Sequence, residues 1–323
     1  MWRYIVKRLF ALVIVLLCVA VIIFCVLWFM PGDPAEVILG LTVPEADREA
    51  LRVKMGWNDP FLLQLGRYLR DVFLHLDFGE SYQYKVPVTQ GFMQFLPRTL
   101  TLGLISVFIQ TIIGIPLGVS AAIHRNTLQD QGLLVFAMVF ISVPQFWFAL
   151  MMVVLFSVKL GWLPAYGIGG FKYYILPCLC ILLGSFSGMA RSMRSSMLEV
   201  IRSDFVMAAK AQGFSKNTVY YRHALPNALI PIITQIGGQF ANALGGTMIL
   251  ETIFSIPGMG LYIQGAITAR DVPIVTGSVV FLAIWFCLVM LAVDILYAVV
   301  DPRIKAQYEA QGKARTHRKG AAA

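Results

Sequence analysis

Charge is scarce in this chain: Asp, Glu, Lys and Arg together make up 13% of its 323 residues, against 58% hydrophobic. That composition excludes a single soluble domain, because one core cannot absorb so much apolar surface. Catalytic signatures are missing as well. There is no H-E-x-x-H, no G-x-x-x-x-G-K-[ST] and no serine in a G-x-S-x-G elbow, so zinc hydrolysis, P-loop nucleotide hydrolysis and an α/β-hydrolase triad all lack their residues. Histidine is sparse, and His75, His124, His223 and His317 fall in separate segments without metal-ligand spacing. The five cysteines, Cys18, Cys25, Cys178, Cys180 and Cys287, lie inside apolar runs, where they read as small core side chains rather than disulfides or metal ligands. An internal repeat is absent too, and with it the paired broken helices expected of an inverted-repeat transporter.

What the chain does have is apolar length. Runs near 9–30, 98–123, 132–158, 173–193, 228–252 and 273–300 reach or approach the roughly 20 residues that cross about 30 Å of hydrocarbon. The expected fold is all-α, a polytopic membrane protein with six transmembrane helices. Arg3, Lys7 and Arg8 precede the first run like the start of a secretory signal. Its apolar stretch is too long for a signal core, however, and Trp28, Phe29 and Met30 stand where small cleavage-site residues belong, so it reads as a retained anchor.

Lysine and arginine set the orientation. Residues 1–8 carry three, 191–227 carry six against two acids, and 301–323 carry six against two, whereas 31–97 carries six against nine acids. Basic segments remain in the cytoplasm, which places both termini and the 191–227 stretch inside and 31–97 outside. The net charge of +9 then reflects topology and contact with membrane lipid, not nucleic-acid binding.

The chain divides into residues 1–30 (cytoplasmic end and first span), an extracytoplasmic segment 31–97, a core 98–300 of spans two to six with a cytoplasmic loop at about 194–227, and a cytoplasmic basic tail 301–323. Within 31–97, Pro44 opens a helix through EADREALRVKM that Gly56 closes, and Asp59-Pro60 offers an N-cap and first-turn proline for FLLQLGRYLRDVFLHL. Leu62, Leu65, Leu69, Val72, Phe73 and Leu76 fall near one face of the second helix. The segment is either a small helical cap or a helix lying in the lipid head groups.

Small residues recur at helical spacing at Gly114 and Gly118, at Gly184 and Gly188, and at Gly237, Ala241 and Gly245, a pattern that lets helices approach closely in lipid. Gln235, Gln239 and Asn242 of the fifth span are candidates for lining a pathway, since polar side chains at that depth face protein or a watery cavity. Pro116, Pro144 and Pro177 read as fixed kinks. Asp294 and Glu251 sit near opposite ends of their spans and read as structural, with ion coupling as the alternative.

Residues 203–229, SDFVMAAKAQGFSKNTVYYRHALPNAL, form a polar, basic stretch between two apolar runs. Ser203 or Asp204 can cap a helix whose apolar side is Phe205, Ala208 and Ala209. Gly213 can end it in a left-handed turn, Ser215 can cap the next, and Leu225-Pro226 marks a second stop. Alanines on a short exposed helix permit a close fit into a partner's groove. A solvated basic loop that serves topology alone is the other reading of the same residues.

These residues resemble a known family. Ala208-Ala209, Gly213 and Leu225-Pro226 are similar to the EAA loop of ABC importer permeases, and most similar to the dipeptide/oligopeptide/nickel class. The resemblance continues through PGDP at 31–34, LPRTLTL at 96–102, SVPQFWFAL at 142–150, GWLPAYG at 161–167, RHALPNAL at 222–229, ETIFSIPGMG at 251–260 and VDILYAVVDPRIK at 293–305. Met207 replaces the acid that gives the loop its name, so any salt bridge made by that acid does not carry over. His223 and Met290 also depart from the general pattern.

The resemblance implies a non-catalytic permease subunit in a prokaryotic cytoplasmic membrane, forming half of a translocation pathway for peptides. The implied partners are a second homologous permease, two cytoplasmic ATP-binding subunits that carry ATP and Mg, and an extracytoplasmic solute-binding protein. No cofactor is expected on this chain. Phe205, Ala208, Ala209, Gly213, Leu225 and Pro226 are the implied ATPase-coupling residues. A self-sufficient transporter or channel using Asp294 or Glu251, or an importer for nickel chelates or other small solutes, is the alternative.

Overall fold

The computed structural model describes residues 2–40 and 42–300, so the basic tail 301–323 lies outside the described residues. Among the described residues the chain is helical, with a single isolated bridge between Glu80 and Pro87 and no strand. Helices α1 (Trp2–Trp28), α5 (Val88–Ile123) and α14 (Val272–Val300) contain the predominantly apolar candidate spans Val6–Trp28, Val88–Ile123 and Val272–Leu296. Each is long enough to cross a bilayer alone. Helix α8 (Lys172–Ile201) is bent by 44° between its halves Lys172–Leu182 and Ser185–Ile201. Helix α11 (Ile230–Gly246) has 17 residues, about 25 Å of rise, and the short helices α10 (Leu225–Ala228) and α12 (Met248–Ile253) continue it at either end.

The third apolar run differs most from expectation. It bends sharply: α6 (Leu128–Ser142) is followed by α7 (Gln145–Met152) running into a π-helical turn at Val153–Lys159, with 95° between them. The cause is local. Val143, just before Pro144, adopts extended backbone at φ −82° and ψ 124°, because the proline ring crowds a helical predecessor. Pro97 and Pro116 inside α5 and Pro177 inside α8 interrupt nothing.

Lipid surrounds apolar side chains with equally apolar tails, so the spans are held by close packing and dispersion rather than by water exclusion. Small residues supply that closeness at some positions and not at others. A Cβ at Gly114 would stand 2.8 Å from Met189 Cγ, one at Gly118 2.4 Å from the Ala190 carbonyl oxygen, and one at Gly237 2.1 Å from Val293 Cγ2. Gly103 meets Ala243 Cβ at 2.6 Å in the same sense. Gly188 and Gly245 instead face open space, and Gly184 lies outside the residues whose surroundings are described.

Between α1 and α5 the chain forms α2 (Pro34–Leu39), α3 (Glu45–Met55) and α4 (Phe61–Leu74). Helix α3 runs between Pro44 and Gly56, whose left-handed φ of 70° turns its N–H back onto the Arg52 and Val53 carbonyls. Asp59 does not cap α4; its carboxylate pairs with Arg67 at 2.6 Å. The inner face of α4 packs on the spans, with Tyr68 stacked on Phe24 at 5.2 Å between centroids, Phe61 edge-on to Trp28 at 5.3 Å, and Val72 clustered with Ala20 and Val280. Leu62 and Leu76 lie exposed, away from that face. Asp271, just before α14, accepts from Ser81 Oγ at 2.5 Å and from the Gln83 N–H at 3.2 Å, which fastens the segment to the last span.

Candidate functional site

The 203–229 stretch folds as α9 (Asp204–Ala211), a turn, a π-helical stretch Thr218–Ala224, and α10. Gly213 closes α9 at φ +83°, a conformation that costs an L side chain about 1–2 kcal/mol, and its N–H bonds the Lys210 carbonyl at 3.1 Å. Ser203 precedes the helix in extended backbone, but its hydroxyl donates to the Val200 carbonyl instead of capping α9. Ser215 does accept from the Thr218 N–H, at 3.3 Å. Leu225-Pro226 is not a stop. The wider π turn lets the Leu225 N–H bond the Tyr220 carbonyl five residues back, and Pro226, which has no N–H to offer, falls at the change-over to α10, so the chain stays helical.

Each proposed coupling residue has a definite place. Val206 and Ala209 point inward, into a cluster with Val119 of α5, Met189, Met193 and Met197 of α8, and Val219 and Ala224 of the π stretch. Phe205, Met207 and Ala208 point outward, with Phe205 43% and Met207 52% exposed. The apolar side of α9 is therefore split, since Ala209, 7% exposed, seats the helix and Ala208 belongs to its free face. Leu225 packs partly buried against the same cluster, whereas Pro226 and Gly213 are exposed. Phe214 and His223, tilted rings with centroids 5.3 Å apart, tie the turn to the π stretch, and Lys210 Nζ over the Tyr220 ring at 6.0 Å ties α9 to it. Ser196 Oγ donates to the Ala228 carbonyl at 2.7 Å, joining α8 to α10.

One contact in this region carries no local sequence signal. Arg194 of α8 grips the buried Asp130 of α6 through Nε and, at 2.7 Å, through Nη2, while the Asn126 N–H donates to the same carboxylate at 2.9 Å. An acid at the start of an apolar run and a base 64 positions later give no hint of each other until the helices are placed. The pair locks the turn between α5 and α6 onto the half of α8 that supports α9.

Gln235, Gln239 and Asn242 fall at i, i+4 and i+7 on α11, one stripe of the helix. Gln235 and Gln239 are half-buried, and Asn242 is exposed and donates to the Gly238 carbonyl at 2.9 Å. Elsewhere on α11, Gly237 meets α14 and Ala243 meets α5. Coupling and pathway candidates thus lie on one run of chain, from α9 through the π stretch and α10 into α11.

The two carboxylates weighed for ion coupling are both engaged. Asp294 pairs with Arg8 at 3.1 Å. Glu251 is fully buried and accepts from Thr99 Oγ1 at 2.7 Å, Thr247 Oγ1 at 2.8 Å and the Gly260 N–H at 2.7 Å. Its Oε2 thereby caps the first turn of α13 (Met259–Thr268), holding the ETIFSIPGMG turn against α5.

Comparison with known proteins gives a consistent set of likenesses. The family model described as binding-protein-dependent transport system inner membrane component matches residues 114–306, and its N-terminal companion matches residues 1–103. A protein of Brucella abortus (strain 2308) named a peptide transport system permease is 38% identical over 313 residues, covering 94% of this chain and 99% of its own. The glutathione transport system permease protein of Salmonella paratyphi A is 38% identical over 309 residues with the same coverage. Among solved structures, the inward-facing MetNI methionine ABC transporter matches with a TM-score of 0.55 and 21% identity, over 66% of this chain and 97% of that one. An amino acid ABC transporter crystallised with histidines matches with a TM-score of 0.51 and 16% identity, over 67% and 94%. At those identities the structures speak for the fold alone.

Proposed function

Since the chain belongs to the family of binding-protein-dependent transport system inner membrane components, we propose that it is one of two homologous permease subunits of an ATP-driven importer for peptides. Two ATP-binding subunits would dock on α9 from the cytoplasm and carry the ATP and Mg, and a solute-binding protein would deliver cargo from the other side. Both termini would lie in the cytoplasm, with the protein in the prokaryotic cytoplasmic membrane. The peptide class comes from the relatives named above. The two-fold sharing of the pathway would place the Gln235, Gln239 and Asn242 stripe opposite its counterpart on the second permease.

The observation that carries this reading is the split of α9. Val206 and Ala209 fix it to the spans, while Phe205, Met207 and Ala208 are presented outward and exposed. A docked motor that moves α9 moves the π stretch, α10 and α11 with it, because a ring contact, a cation over a ring and a buried cluster join them. The motor biases the bundle only if it grips the two states of the bundle differently.

Replacing Ala208 by Trp tests the docking. The variant is expected to reach the membrane at normal levels and to lose copurification with the ATP-binding subunits, as a bulky ring holds the two surfaces apart. Normal copurification and transport by Ala208→Trp would refute it. For orientation, a single cysteine at Lys85 in a cysteine-free background is expected to react with an impermeant thiol reagent in intact cells, and one at Ser215 only after lysis. Ser81 is a poor probe on the outer side because it is buried on Asp271.

A further inference from the structure

Far along the chain from α9, a cavity of about 410 Å³ opens between the end of α1, helix α4, the 77–82 turn and the first turn of α14. Its volume suits a small organic ligand. Phe24, Trp28, Tyr68 and Tyr82 line it together with Asp71 and Asp77, and no Lys or Arg takes part among the described residues. Asp71 already engages Arg70 at 2.9 Å. Asp77 accepts only the Gly79 N–H at 2.8 Å and has no cationic partner among the described residues. Aromatic faces with an uncompensated carboxylate recognise an organic ammonium group. Beside the cavity, the Tyr68 hydroxyl is enclosed without a hydrogen-bond partner, and burial raises its pKa, so it remains a proton donor with an unmet demand.

The α1 wall decides what kind of ammonium compound reaches this place. Trp28, which ends the span Val6–Trp28, and Met30 both line the cavity and are each 40% exposed, so the opening lies at the level where a membrane-spanning helix emerges from the acyl chains. We propose that this cavity seats the head group of an amine-headed phospholipid from the leaflet on the side of the 31–97 segment. Its ammonium is held beside Asp77 and the aromatic residues that line the cavity.

The test uses the full-length chain in its purified complex, in nanodiscs doped with photoactivatable phosphatidylethanolamine or, separately, phosphatidylglycerol. Phosphatidylethanolamine is expected to crosslink within residues 24–34 and 68–82, and Asp77→Asn is expected to lower that yield about fivefold while labelling elsewhere on α1 is unchanged. Trp28→Leu, at a partly exposed ring, is expected to act in the same direction and carries the test if Asp77→Asn fails to assemble. Equal crosslinking by phosphatidylglycerol at those residues, labelling confined to other surfaces, or full yield in the assembled variants would overturn the assignment.

Discussion

Asp130→Asn removes a charge and almost nothing else, which makes the Asp130–Arg194 pair the sharpest place to test how α9 is supported. The Asp130 side chain is 2% exposed and that of Arg194 18%. The asparagine keeps the shape, loses the bidentate grip and leaves a guanidinium largely enclosed. For a fully buried pair such a loss costs about 3–5 kcal/mol, and the partial exposure of Arg194 brings the expectation to about 2 kcal/mol. That corresponds to about a thirtyfold larger local opening constant. Hydrogen exchange of the purified complex is the assay, with faster exchange expected at residues 125–130 and 194–211 and none at α3 or α4. Replacing both partners, Asp130→Leu with Arg194→Met, is expected to recover more than half of the lost protection, since an apolar pair of similar size removes the stranded charge. Unchanged exchange in Asp130→Asn, or a double variant no better than the single, would refute the supporting role.

Three further contacts carry outcomes of their own. Gly237→Ala drives a methyl into Val293 at the α11–α14 contact and is expected to lower thermal stability by about 1–3 kcal/mol, with Val293→Ala in the same chain relieving it; a single variant as stable as the parent would show that the helices can separate without cost. Glu251→Gln places an amide where four donors converge, so about 1–3 kcal/mol of stability is expected to go, read as raised exchange across 256–262 while Asp294→Asn leaves that segment alone. Arg52 beside Asp33 holds its carboxyl below the ordinary value of 3.8. A depressed folded-state pKa means the α2–α3 contact has its full stabilisation above that ordinary value and loses it as pH falls through the folded one. Asp33→Asn is therefore expected to loosen 34–55 at neutral pH and to match the parent once the pH is well below 3.8; an equal difference at both pH values would refute the pairing.

Much of the helix punctuation was legible from the sequence because it is local. Pro44 and Gly56 bound α3, and Gly213 ends α9, since a fixed φ or a left-handed turn needs no distant partner. The 95° turn at Val143-Pro144 and the unbroken passage through Leu225-Pro226 show the limit: the same dipeptide chemistry ends a helix in one place and is absorbed by a π turn in the other. The inward face of Ala209 was also hidden, because alanine gives no amphipathic contrast between Ala208 and its neighbour. Asp130 with Arg194 and Ser81 with Asp271, 190 positions apart, had no signal in one dimension at all.

The hydrogen bonds of Thr99 to Glu251 and of Ser81 to Asp271 both cross from the part of the chain matched by the N-terminal family model to the part matched by the other. Chimeras built by joining the first hundred residues of one relative to the remainder of another would sever these stitches unless both ends travel together. Pairs of homologues that already share Thr and Ser in the donor half, and Glu and Asp in the acceptor half, are the ones from which such hybrids can be assembled.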